Sequence, residues 1–137
     1  MSARLHEATS IRRARMDYNR IGRIATWFCV TALLVLSLVP GNERPHTGIQ
    51  GHWEHFIAYA GTGLIATLAY DRAVRTIVGL CLLSSVLELL QNFIPGRTPT
   101  LMDAVFSTAG GAAGAALAMV VRIVLARSAD QKRRQNK

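Results

Sequence analysis

Four long apolar segments dominate this chain, and each is long enough to cross the hydrocarbon core of a bilayer, which is about 30 Å thick and takes about 20 helical residues. The spans are predicted at about 21–40, 53–70, 74–94 and 101–124. The first contains IATWFCVTALLVLSLV and stops at Pro40-Gly41. The second carries FIAYAGTGLIATLAY between Trp53 and Tyr70, and Asp71-Arg72 ends it. The third contains IVGLCLLSSVLELLQNFI and meets Pro95-Gly96; the fourth is rich in Gly and Ala. No small-x-small cleavage site follows Ser37 before Pro40, so the first segment reads as a span rather than a signal peptide. In lipid every backbone N–H and C=O needs an internal partner, and continuous apolar runs of this length find one as helices. The expected fold class is an all-α membrane protein with four transmembrane helices.

Charge sets the expected orientation. Sixteen Lys and Arg against eight Asp and Glu leave a net charge of +8. Arg4, Arg12, Arg13, Arg15, Arg20 and Arg23 precede the first span, Arg72 and Arg75 separate the second from the third, and six more basic residues run from Arg122 to Lys137. An up-and-down reading collects all of these on one side and leaves Arg44 and Arg97 on the other, so both N and C termini are expected to be cytoplasmic. The expected organisation is a basic cytoplasmic segment over 1–20, a four-helix membrane domain over 21–126 and a basic cytoplasmic tail over 127–137. Basic residues that mark span boundaries do not form one groove-reading face, which excludes nucleic acid as partner. Membrane lipids are the expected partner instead, with about 1 kcal/mol of attraction per basic residue near anionic headgroups. Arg122 is expected to snorkel to those headgroups. Cys29 and Cys81 are read as small buried hydrophobes rather than a disulfide.

Ionisable groups within spans are costly and tend to face protein or a wet cavity. Here they gather toward one leaflet. Residues three or four apart share a helix face. The second span therefore presents His55, Tyr59, Thr62, Gly63 and Ala66, the third Cys81, Ser84, Ser85, Glu88 and Gln91, and the fourth Asp103, Ser107, Gly110, Gly111 and Gly114. Loops 40–52 and 92–100 are expected to lie over this layer, with His46 and His52 as solvated loop residues. Thr100 and Asp103 have capping-box spacing. Glu88, among leucines, calls for a compensating partner, and Arg97 is nearest in sequence, followed by His55. The glycines Gly63, Gly110, Gly111 and Gly114 are assigned to helix packing, since small residues let backbones approach closely. Their spacing leaves open whether they join helices of one chain or of a homodimer. His55, Glu88 and Asp103 have metal-ligating chemistry but stand on three helices with no local spacing signature, so no metal or cofactor is assigned.

At these residues the chain resembles the VanZ-like family of small bacterial membrane proteins, named for a member encoded with glycopeptide-resistance genes. One matching stretch is His55-Phe56-Ile57-Ala58-Tyr59-Ala60 with Gly63. The other is Glu88-Leu89-Leu90-Gln91 with Phe93, Pro95-Gly96-Arg97 and Asp103, leading to Thr108, Gly110, Gly111 and Gly114. The resemblance covers roughly residues 50–118. Two departures are Gly51-His52, where family members often have Asp-Lys, and Ser107, where they often have Asn. The resemblance implies a multi-pass protein of the bacterial cytoplasmic (inner) membrane and a connection to teicoplanin tolerance.

The favoured function is a candidate pocket in the outer leaflet, made by His55, Tyr59, Glu88, Gln91, Arg97, Asp103 and Ser107. It would bind a cell-envelope component, either an anionic lipid headgroup or a lipid-linked cell-wall precursor, with Arg97 suited to the anion. An alternative is a membrane-embedded enzyme acting on a lipid-linked phosphate with His55 as acid or base; no catalytic residue beyond that is assigned. A small multidrug exporter fits less well, because the first span has no acid. Reporters fused after Asn42, Asp71 and Arg97 are expected to read extracytoplasmic, cytoplasmic and extracytoplasmic in turn; the reverse pattern contradicts the orientation.

Overall fold

The structure is a computed structural model that describes residues 2–40, 48, 51–97 and 100–135, apart from the side chains of 2–15 and 133. Four helices follow in order: α1 (Ser2–Leu38), α2 (Gly51–Tyr70), α3 (Ala73–Gln91) and α4 (Leu101–Gln135). At 1.5 Å per residue α2 and α3 are about 30 Å long, a match to the hydrocarbon core, whereas α1 and α4 exceed 50 Å. The excess lies in the two basic ends. Both continue the adjoining helix without a break, over Ser2–Leu38 and Leu101–Gln135.

Among the described residues three stretches are long and apolar enough to cross a membrane: Met16–Leu38, Ala73–Gln91 and Leu101–Lys132. The second predicted span, α2, falls short of that hydropathy for a structural reason. It touches all three other helices and packs most extensively on α4. Its buried residues are His55, Tyr59, Thr62, Gly63, Ala66, Thr67 and Ala69, mostly polar or small, because they face protein and not acyl chains. The lipid-facing helices supply the apolar surface, with Trp27, Phe28, Val74, Leu82, Leu89 and Leu125 all exposed.

Helices α2 and α4 run parallel, and their backbones meet. A Cβ added at Gly110 would overlap the Phe56 carbonyl, one at Gly114 would overlap the Ala60 carbonyl, and one at Gly63 would stand 2.5 Å from Gly111 O. The small-residue stripe therefore packs within one chain. Further down α4, Ala115 and Ala118 are fully buried.

Arginines tie the ends. Arg122 was expected to reach for headgroups but turns inward instead: Nη2 donates to Leu68 O at 2.9 Å, and the guanidinium pairs with Asp71, whose φ of 55° closes α2 in the left-handed region. The first contact satisfies a carbonyl in the last turn of α2, which lacks an intrahelical partner, and the second pairs the guanidinium with the side chain that follows the helix. Nearby, Arg23 lies over the Tyr70 ring at 5.3 Å. Helix α3 ends at Gln91, short of the expected residue 94, because Pro95 disfavours helical geometry at the residue before it. Gly96, at φ 73°, completes the turn.

The glycines separate two effects. Gly114→Val should cost about 3 kcal/mol through overpacking against a backbone that cannot yield. Gly61→Ala, where nothing lies within 4 Å, should be neutral or stabilise by about 0.5–1 kcal/mol through helix propensity. Unfolding of the purified protein in mixed micelles checks both, and equal effects contradict the close approach.

Candidate functional site

The polar cluster sits where α2 and α4 begin and α3 ends. Each residue arrives by helical spacing: His52, His55 and Tyr59 along one face of α2, Glu88 and Gln91 in the last turns of α3, and Asp103 and Ser107 one turn apart at the start of α4. His55 is 9% exposed, and Tyr59, Gln91 and Ser107 are buried more deeply still. Tyr59 and Ser107 share a hydrogen bond across the α2 and α4 contact, and Glu88 lies within electrostatic reach of Tyr59.

Asp103 is held from two sides. Its N–H donates to Thr100 Oγ1 at 3.3 Å, and that hydroxyl donates back to Asp103 Oδ2 at 3.0 Å. The bond from the Asp103 N–H to the Thr100 hydroxyl is the half of the capping box expected from the spacing, and the acid stands at the positive end of the α4 dipole. His52 Nδ1 lies 2.6 Å from Asp103 Oδ1. The backbone N–H of Thr100 is turned to Glu88, so the acid of α3 also anchors the start of α4.

His52 is the residue that sequence reasoning missed. With α2 taken to begin at Trp53, it fell in the loop as a solvated residue. The helix begins at Gly51, which puts His52 three positions before His55 on the same face, and its ring packs 5.6 Å from that of Phe106. Trp53 packs edge-on against Phe56 and Phe106, at 5.7 and 5.4 Å, so an aromatic collar borders the cluster. Most of the loop expected above it, including Arg44 and His46, lies outside the described residues.

Arg97 occupies a different place from the rest. Its Nε donates to Val39 O at 3.1 Å and its Nη2 to Leu36 O, so its guanidinium satisfies the last carbonyls of α1. It remains within electrostatic reach of Glu88, as does Asp103. The layer thus brings two carboxylates together beside two imidazoles. Glu88 Oε2 and Gln91 Nε2 are sealed from solvent and have no hydrogen-bond partner among the described residues. One ligand atom from each of His55, Glu88 and Asp103 falls within 4.8 Å of the others, a convergence of three helices that no local motif announces.

A cavity of about 350 Å³ opens beside the cluster between α3 and α4, with Glu88, Asn92 and Thr100 against Leu89, Leu101 and Ala104. Leu89 and Leu101, which line it, are exposed, so the cavity opens on the outer surface of the bundle. A larger cleft of about 570 Å³ among α1, α2 and α3 has Arg72 and Arg75 in its wall and gathers no acid or histidine. Cys29 and Cys81 are both free thiols.

Compared with curated proteins and with solved structures, the chain matches none of them. The family model described as VanZ/LLP1 matches residues 12–122. That stretch takes in the apolar part of α1, all of α2 and α3, most of α4 and every residue of the polar cluster, and the chain belongs to the VanZ/LLP1 family.

Proposed function

We propose that this multi-pass membrane protein binds the headgroup of a lipid-linked envelope component, a cell-wall precursor on a phosphorylated lipid, at the end of the bundle where His55, Glu88 and Asp103 meet. Binding there contributes to glycopeptide tolerance. The distribution of basic residues supports placing this end in the outer leaflet of the cytoplasmic membrane, with both termini cytoplasmic. Specificity then rests on polar groups held in place before the ligand arrives.

The observation that carries this reading is the cavity between α3 and α4. Its walls are graded as an amphiphile is graded, with Leu89, Leu101 and Ala104 offered to an acyl or prenyl chain and Glu88, Asn92 and Thr100 offered to the head. A ligand arriving from the bilayer reaches the cluster without crossing the aromatic collar. Hydrolysis with His55 as acid or base draws less support: Ser107 is 1% exposed and bonded to Tyr59, so attack would fall to water. Proton-coupled export draws less again, because Glu88 stands in the last turn of α3 and not at mid-membrane.

Purified protein in detergent, titrated with a polyprenyl monophosphate against phosphatidylcholine as competitor and read by native mass spectrometry, tests the proposal. The phosphorylated lipid should be preferred. Ala104→Phe, which fills the cavity, should weaken its binding about tenfold, the effect of about 1.4 kcal/mol. Equal retention of the two lipids, or unchanged affinity in Ala104→Phe, contradicts it.

A further inference from the structure

We infer that His55, Glu88 and Asp103 form a binding site for a divalent transition-metal ion of the Zn²⁺ or Mn²⁺ type. The inference deepens the headgroup-binding reading, and rests on it only for what occupies the open side of the ion.

Geometry comes first. One atom from each side chain lies within 4.8 Å of the other two. Metal–ligand distances of about 2.0–2.2 Å put ligand atoms about 3.4 Å apart in a tetrahedral shell and about 4.3 Å across an octahedral one. Small side-chain rotations close the difference. The three ligands come from α2, α3 and α4, whose relative positions are already set by the glycine contacts and the α4 cap.

An independent observation is the uncompensated chemistry of the layer. Among the described residues Glu88 Oε2 is buried with no hydrogen-bond partner, in a carboxylate that also faces the Asp103 carboxylate. Gln91 Nε2, one turn along α3 in a residue 2% exposed, has no partner among the described residues either. A buried acceptor left unmatched is costly, and two carboxylates side by side in a poorly solvated layer add repulsion. The Arg97 guanidinium offsets Glu88 as a charge within electrostatic reach while its Nε and Nη2 donate to the α1 carbonyls, and Glu88 Oε2 is still without a hydrogen-bond partner among the described residues. A divalent cation answers the unmatched Glu88 oxygen and the repulsion between the carboxylates at once; the Gln91 amide N–H, a donor, is not satisfied by it.

The surroundings are those that orient ligands. Asp103 is gripped by His52 at Oδ1 and by the Thr100 hydroxyl at Oδ2, while the Thr100 N–H turns to Glu88. Outer partners of this kind fix the direction of a ligand's lone pairs. One imidazole with two carboxylates suits Zn²⁺ or Mn²⁺ better than Ca²⁺ or Mg²⁺, which prefer oxygen alone. Three protein ligands leave positions open, and a phosphate oxygen entering beside Glu88 would complete the shell. The ion would thereby explain how an acidic layer accepts an anion.

The test uses the metal alone. Full-length protein carrying no histidine tag is stripped with chelator in detergent and dialysed against Zn²⁺ or Mn²⁺. About one ion per chain is expected, with a higher melting temperature in the loaded form. His55→Asn, Glu88→Gln and Asp103→Asn should each weaken binding by about a hundredfold, and Thr100→Val, an outer partner, by about tenfold. Should the variants fail to fold, the visible ligand-field band of Co²⁺ taken up by the wild-type protein reads imidazole and carboxylate ligation without substitution. Absence of metal uptake by wild type, or equal uptake by the variants, overturns the inference. Ala104→Phe should keep the metal while losing lipid. Lipid binding by a protein that takes no metal removes the ion and leaves the headgroup reading, whereas metal uptake without lipid binding does the reverse.

Discussion

A methyl group at Gly110 or Gly114 would run into the backbone of α2, and that closeness sets the register in which the two parallel helices meet. With Phe56 beside Gly110 and Ala60 beside Gly114, His52 reaches Asp103 and Tyr59 reaches Ser107. A slip of one helical turn, about 5.4 Å, would separate both pairs. Between lipid-embedded helices there is no hydrophobic driving force of the kind water supplies, so close packing of small residues and interhelical hydrogen bonds must hold them. The glycines provide the first and the polar layer provides the second. Stability and the candidate site therefore depend on the same contact.

Both arginines drawn into the bundle solve one problem at opposite ends. Arg97 satisfies carbonyls at the close of α1, and Arg122 satisfies one in the last turn of α2, that of Leu68, while pairing with Asp71. In a bilayer an orphan carbonyl has no water to turn to, so a guanidinium with several donors is an effective cap. The consequence for the site is electrostatic. Arg97 serves the α1 carbonyls with its donors and still acts on Glu88 as a charge, so it offsets the acid of the layer without hydrogen-bonding Glu88 Oε2.

Much of this was legible in the sequence. Span length, Pro and Gly punctuation and three-and-four spacing were enough to place His55, Tyr59, Glu88, Gln91, Asp103 and Ser107 on inward faces, and the Thr100 to Asp103 cap followed from its spacing. What escaped has physical causes. His52 was lost to a helix start two residues early, since Gly51 gives no N-cap signal. Hydropathy undervalues α2 because its buried residues face protein. Partner choice was beyond reach: nothing local distinguishes an arginine that binds a ligand from one that caps a distant helix, or a small-residue stripe that packs within a chain from one that joins two. Both are decided by contacts between residues more than 45 positions apart.

The central claim is that α2 and α4 of one chain bring residues 52 and 103 together at one end of the bundle. Its most direct measurement is thiol cross-linking of a His52→Cys, Asp103→Cys protein in which Cys29 and Cys81 are replaced by Ala, using a short bifunctional reagent in native membranes. The expected product is an internally linked monomer, formed efficiently and lost when Gly114→Val is added. Linked dimers without internal product, or no linkage at all, would contradict the account.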